Sequence, residues 1–394
     1  MAETIAIKPE IIRWALKRSQ LAMDELVQAF PKLEDWETGD GEPTLRQLEK
    51  LAKKTMTPLG YFFLDTPPVE KLPIPDFRTI GDHKIGLPSP NLMETVQTME
   101  RRQGWMREYV IEEGQDPLSF VGSVKITASI VPVAARIRNT LGLSPDWAES
   151  HSSWEEARRT LRSRAEQIGI LVASSGVVGL NNRRPLDPQE FQGFVLCDDY
   201  APLVFVNAAD FNAAQMFTLA QELVHIWVGR GGLFHMPRTM PHDDETEKFC
   251  NQVAAELLVP SHTLKDRWPA VKHNDEPFQD LARAFKVSAV VAARRALDLK
   301  LISKKAFFAF FDEDQQQWKN RRAKQKAAKK GGGDFYRNQD AKLGKRFAYA
   351  IVRAAREGRL LYREAYHLTS SFALFRAFFE RRVNKNEPSR RFGL

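Results

Sequence analysis

The chain has 394 residues, 43% of them hydrophobic and 27% charged, enough apolar material for two or three domains and too much for a disordered chain. It has no apolar run near the roughly 18 residues of a membrane helix and no signal-peptide pattern at its start. Its two cysteines, Cys197 and Cys250, are too few for a disulfide framework or a Cys-rich zinc module. A soluble cytoplasmic protein is expected. The net charge of +8 is uneven: residues 301–394 hold 23 Lys and Arg against 9 Asp and Glu, and the first 300 hold 35 against 41. A basic end of this kind suits nucleic acid or an acidic partner, and equally a solvated helical surface.

Residues 9–66 read as short helices. Pro9 and Glu10 open the first, Ala22 to Phe30 gives a second, Pro31 begins a short third around Leu33 and Trp36, and Pro43-Thr44 starts a fourth bearing Leu45, Leu48 and Leu51. The stretch from Pro58 to Phe77 contains Pro67, Pro68, Pro73 and Pro75 and reads as a stiff linker. A long helical stripe covers Asn91 to Gly114, followed by helices over Val133–Leu141 and Trp154–Ile168. The period then shortens. Gly169–Ser174, with Ile170, Leu171 and Val172, Phe194–Cys197 and Leu203–Val206 are short apolar runs with β-branched residues, which predicts strands. Helices resume from Ala213. After Leu301 come a Lys- and Arg-rich stretch, three glycines at 331–333, and two further helices over Asp340–Glu357 and Arg363–Arg382. This order predicts an α+β fold in four parts: 1–66, 67–130, 131–302 and 303–394.

The chemistry is concentrated in one helix. FTLAQELVHIWV, residues 217–228, is nearly all apolar, and its polar side chains Thr218, Gln221, Glu222 and His225 fall on a single stripe. The stripe faces either water or a buried site. Glu247 lies 22 residues beyond His225 in a second helix, TEKFCNQVAAELLVP, in line with Cys250, Ala254 and Leu258. A carboxylate on such an apolar stripe needs a basic group or a metal beside it. A zinc peptidase needs two helix ligands at i and i+4, a carboxylate base beside the first, and a third ligand from elsewhere. Glu222 stands at the base position, His225 at the second ligand, and Glu247 at the third. The first ligand position holds Gln221, whose amide oxygen is a weak donor for zinc. Glu-x-x-His alone is a weak signal, since Glu364 and His367 repeat it in the basic tail.

FTLAQELVHIWVG followed by ETEKFCNQVAAELLVP is similar to the motif pair of the ImmA/IrrE family of metallopeptidase-like regulators, FTLxHELxH and ExxxNxxAAxLLxP. PIPDFRT at 73–79, EFQGFVL at 190–196, VFVN at 204–207 and GGGDFYRNQDAKLGKRFAYAIV extend the likeness along the chain. The resemblance implies a zincin-like domain between an N-terminal XRE-type helix-turn-helix and a basic helical C-terminal tail. It implies zinc held at positions 221, 225 and 247, Glu222 as general base, and cleavage of a partner repressor or antitoxin. Gln221 departs from the motif. His235, His242, Asp243 and Asp244 in the following loop are candidate replacements, or an exposed polar loop. The alternative to a peptidase is a catalytically inactive DNA-binding regulator or antitoxin that keeps the fold.

Two segments are candidates for DNA contact. The first is 9–57, where Lys32 and Trp36 sit in a recognition segment, PKLEDWETGD, that also carries Glu34, Asp35, Glu37 and Asp40. Phosphates repel such a surface, and a helical bundle for protein contact or dimerisation is the alternative. The second is 280–302, where Ser288 is expected to cap a helix projecting Arg294 and Arg295. Completion of the hydrophobic core is the alternative there. Arg353, Arg356, Arg359 and Arg363 add charge suited to phosphate or to an acidic protein surface.

Overall fold

The computed structural model describes residues 3–70, 72, 79–80, 83–84, 88–234, 245–314, 316 and 341–369. The chain divides into two compact units, Met1–Pro73 with Lys84–Gln97, and Ile74–His83 with Thr98–Leu394. The cuts fall after Pro73, after His83 and, inside the long helix, after Gln97.

In the first unit α1 (Pro9–Ser19) starts on a proline, whose missing N–H costs a helix nothing at that place. It is followed by α2 (Met23–Ala29), α3 (Leu33–Thr38) and α4 (Leu45–Thr55). Thr44 and Gln47 form a reciprocal capping box that fixes where α4 begins. Ile11, Ile12, Leu26, Leu33, Trp36, Leu48 and Leu51 make the core. The expected linker starts later than Pro58. Leu59–Phe63 is a 3-10 turn that packs Phe62 into this core, because its aromatic side chains outweigh the flanking prolines. Arg18 is buried and donates to Glu70 and to the Met56 carbonyl at 2.9 Å.

Next in sequence come β1 (Thr79–Ile80), β2 (His83–Lys84) and α5 (Pro90–Glu112). The second unit is an α+β fold. After α6 (Ile130–Thr140) and α7 (Trp154–Gln167) come β3 (Leu171–Ser175), β4 (Gly193–Leu196) and β5 (Leu203–Asn207). Next are α8 (Asn212–Val228), β6 (Gly232–Phe234) and α9 (Glu245–Leu258). The sheet has the order β3-β5-β4-β6. β3 runs parallel to β5 in the register Leu171 opposite Leu203, and β4 is antiparallel to both β5 and β6. All residues of β4 and β5 are buried, which explains why they read as continuous apolar runs.

α7 and α8 pack on this sheet, and α9 lies against α8 on one side and α6 on the other. α8 is buried from Ala214 to Trp227 except at Phe217, and Gly229, with φ of 74°, ends it in the left-handed turn that a side chain would strain. The remaining helices are α10 (Ser261–Val271), α11 (Pro277–Phe285), α12 (Ala289–Asp298), α13 (Lys345–Arg356) and α14 (Tyr362–Thr369). Ser288 caps α12 as expected, accepting from the Val291 N–H at 3.2 Å.

The described part of the basic tail is packed. Arg102 donates to the carbonyls of Lys342 and Leu368, while Arg353 and Arg359 both pair with Glu113 at 2.9 and 2.6 Å. These two arginines are therefore spent within the fold. The expected helix over 363–382 is seen as far as Thr369, and 319–330 and 370–382 lie outside the described residues. No helix among the described residues is long and apolar enough to cross a membrane.

Candidate functional site

The polar stripe of α8 faces inward. Gln221 is 3% exposed, Glu222 1% and His225 0%, and Glu247 on α9 is 2% exposed. The packing of α9 on α8 brings all four together, so the alternative of a solvated stripe is removed. His225 Nε2 lies 3.0 Å from Glu247 Oε1, and the Gln221 amide Nε2 donates to Glu247 Oε2 at 2.9 Å. Glu247 Oε2 is thus hydrogen-bonded from α8, while its Oε1 and His225 Nε2 are close without forming a hydrogen bond to each other. On the other ring nitrogen, His225 Nδ1 lies 3.5 Å from Cys250 Sγ. In the tautomer protonated on Nε2, Nδ1 accepts the thiol proton. Cys250 follows Glu247 by one helical turn, and that spacing is the signal in the sequence for its contact with the imidazole.

Glu222 is set differently. Its Oε2 is buried with no hydrogen-bond partner among the described residues. Desolvation, and secondly the charge of Glu247, push its carboxyl well above the usual carboxylate range. Burial, with Glu222 next, drives the nearby Cys197 thiol up to about 12, which leaves it inert as a nucleophile. Gly193 in β4 is what lets the helix come so close. A Cβ there would sit 2.7 Å from Thr218 Cγ2 and 3.0 Å from Glu222 Oε1. Sequence reasoning missed Gly193, since EFQGFVL shows a glycine but not what crosses it.

Does this donor set fit zinc? His225 Nε2 and the Glu247 carboxylate are suitable ligands. Gln221 turns an N–H toward Glu247, and an amide nitrogen has no lone pair to give a metal. No group of three His, Cys, Asp or Glu among the described residues is arranged to hold a metal ion. Among the described residues the set offers two good zinc ligands, and at the first ligand position an amide whose N–H faces Glu247. His235, His242, Asp243 and Asp244, the candidate replacement ligands, lie outside the described residues.

The four candidate DNA contacts divide. Trp36 is 2% exposed and belongs to the core of the first unit, next to Phe30. Its assignment to DNA is corrected, because a side chain packed in the bundle cannot reach a groove. Arg295 is 7% exposed and pairs with Glu256 on α9, with a further bond to the Val259 carbonyl at 3.1 Å. Its assignment is corrected for the same reason, and α12 completes the core. Arg294 is exposed but bonded to Asp298 one turn on at 3.0 Å. Lys32 is exposed, and so are Glu34 and Asp35 beside it, which leaves that surface acidic.

No curated protein matches the chain. Residues 343–372 match a domain of unknown function (DUF8813), which covers α13 and α14. Residues 165–297, from the end of α7 through nearly all of α12 and including the whole cluster around His225, match the IrrE N-terminal-like domain of the Peptidase_M78 family, and the ImmA/IrrE resemblance is supported over that span.

Proposed function

We propose that this chain is a regulatory protein of the ImmA/IrrE type that keeps the zincin-like frame and binds its partner without cutting it. The partner is a repressor or a component of a toxin–antitoxin pair. The observation that carries the reading is the hydrogen bond from the Gln221 amide to Glu247. It places a donor at the first ligand position of a peptidase, and it engages one oxygen of Glu247 from α8. Without a complete ligand set there is no Lewis acid to lower the pKa of water toward neutrality. Burial, and then the charge of Glu247, raise the Glu222 carboxyl and so favour its protonated form over that of a base. The acidic face of the first unit supports protein contact over DNA contact.

A second reading, an active zinc peptidase, is favoured by the unpartnered oxygen of Glu222, which is where a base facing water would stand. It requires a ligand from 235–244 in place of Gln221. The two readings differ in what happens to the partner. The full chain is incubated with the protein encoded beside it, and the mixture is followed by co-elution and intact mass. Co-elution with unchanged partner mass is expected. Cleavage that stops on chelation and in Glu222→Gln would overturn the proposal and establish the second reading.

A further inference from the structure

The first unit carries opposite charges on separate helices. In α4, Arg46, Lys50 and Lys54 follow one another at one-turn spacing and are all exposed, which makes a basic ridge along the helix. Glu49 lies beside that ridge. On α2 and α3 the exposed carboxylates are Asp24, Glu25, Glu34 and Asp35, with Asp40 after them and Lys32 between. Lys54 reaches Glu25 at 3.5 Å, so the basic ridge meets the acidic face at one edge. Among the described residues, Arg46, Lys50, Asp24, Glu34 and Asp35 have no ion-pair partner. α2 is also thinly attached. One of its seven residues, Leu26, is buried, and Met23 and Val27, one turn apart, are each about half exposed. A helix so short depends on what it packs against, and two large apolar side chains held together in water gain by being covered.

What covers them must suit the carboxylates around them, and the chain itself supplies a complement in the ridge of α4. Acidic face on acidic face, or ridge on ridge, would set like charges together, which opposes association. Acidic face on ridge is attractive. Made twice about a two-fold axis, that contact closes on itself and leaves neither surface open. We propose that the first unit pairs with a second copy of the chain in this crosswise manner, α4 of each copy lying on α2 and α3 of the other, with Met23 and Val27 covered at the contact. The pairing is independent of whether the cluster around His225 holds a metal.

The test is sedimentation velocity of the full chain over a range of concentrations, at low and at high salt. A reversible monomer–dimer equilibrium is expected, weakened about tenfold or more by high salt because exposed charges are screened. Two double variants each reverse one surface at exposed positions, Arg46→Glu with Lys50→Glu, and Glu34→Lys with Asp35→Lys. Each alone is expected to stay monomeric where the parent chain is dimeric. Mixed, the two are expected to form a dimer with each other, since opposite charges then face across both contacts; that recovery also shows that both variants are folded. Met23→Ser with Val27→Ser is expected to weaken the parent dimer about tenfold, and Lys272→Glu, exposed in the second unit, to leave it unchanged. A chain that stays monomeric at every concentration would overturn the proposal and leave the face to a foreign partner. A dimer untouched by either reversal, a mixture that stays monomeric, or a mass that grows beyond two copies would overturn it as well.

Discussion

A single side chain, Gln221, sets this cluster apart from the ligand set that the family resemblance implies. Histidine at 221 would offer a ring nitrogen; glutamine offers an amide whose N–H finds Glu247 at 2.9 Å. Glu222 shows the same change from the side of charge. Its folded-state pKa stands above the ordinary carboxyl value because burial, and then Glu247, disfavour ionisation. The folded protein holds that proton more tightly than the unfolded chain does. The stabilising contribution is therefore full below the unfolded pKa and is lost as pH rises through the folded one. Glu222→Gln removes the titration. The variant is expected to gain on the parent protein between pH 5 and pH 8, by about 1.4 kcal/mol for every pH unit over which the folded protein keeps a proton that the unfolded chain has released. Urea midpoints at the two pH values check this, and parallel midpoints would contradict it.

At the scale of elements, α12 shows how a helix can be foreseen and its role mistaken. Its span and its Ser288 cap follow from apolar spacing and from capping chemistry. Its arginines do not sort themselves in the sequence, because the partner of Arg295 is Glu256, 39 residues earlier. Glu256 also accepts from the Ser261 N–H and hydroxyl, and Arg138 of α6 donates to its carbonyl. The cluster joins the end of α9 to α6 and α12. Arg295→Ala leaves a buried carboxylate without its cation and is expected to cost about 3–5 kcal/mol, whereas Arg294→Ala, at an exposed pair, costs about 1 kcal/mol or less. Chemical denaturation of both variants checks the contrast; equal losses would place Arg295 at the surface. Other elements escaped the sequence for physical reasons. β6 has three residues, too short for an alternation to register. The turn over Leu59–Phe63 was hidden by neighbouring prolines. The arginines of α13 read as free charge because Glu113 is 240 residues away from Arg353.

For the molecule as a whole, the α+β frame was legible because long apolar stripes and short β-branched runs obey different periods. The convergence of Gln221, Glu222, His225 and Glu247 was legible too, since two helices with polar residues on otherwise apolar faces must pack those faces together. The orientation of one amide group was not, and the reading of the protein as a binder instead of a peptidase depends on it. Residues 165–297 match a family whose name is that of a peptidase, so the family likeness and the local chemistry make opposite demands on position 221. Zinc titration at neutral pH, comparing the parent chain with Gln221→His by calorimetry and by metal analysis after dialysis, sets them against each other. The parent chain is expected to retain well under one zinc, and the variant to bind at least a hundredfold more tightly and approach one per chain. A parent chain that retains one zinc, lost on replacing His225 or Glu247, would contradict it.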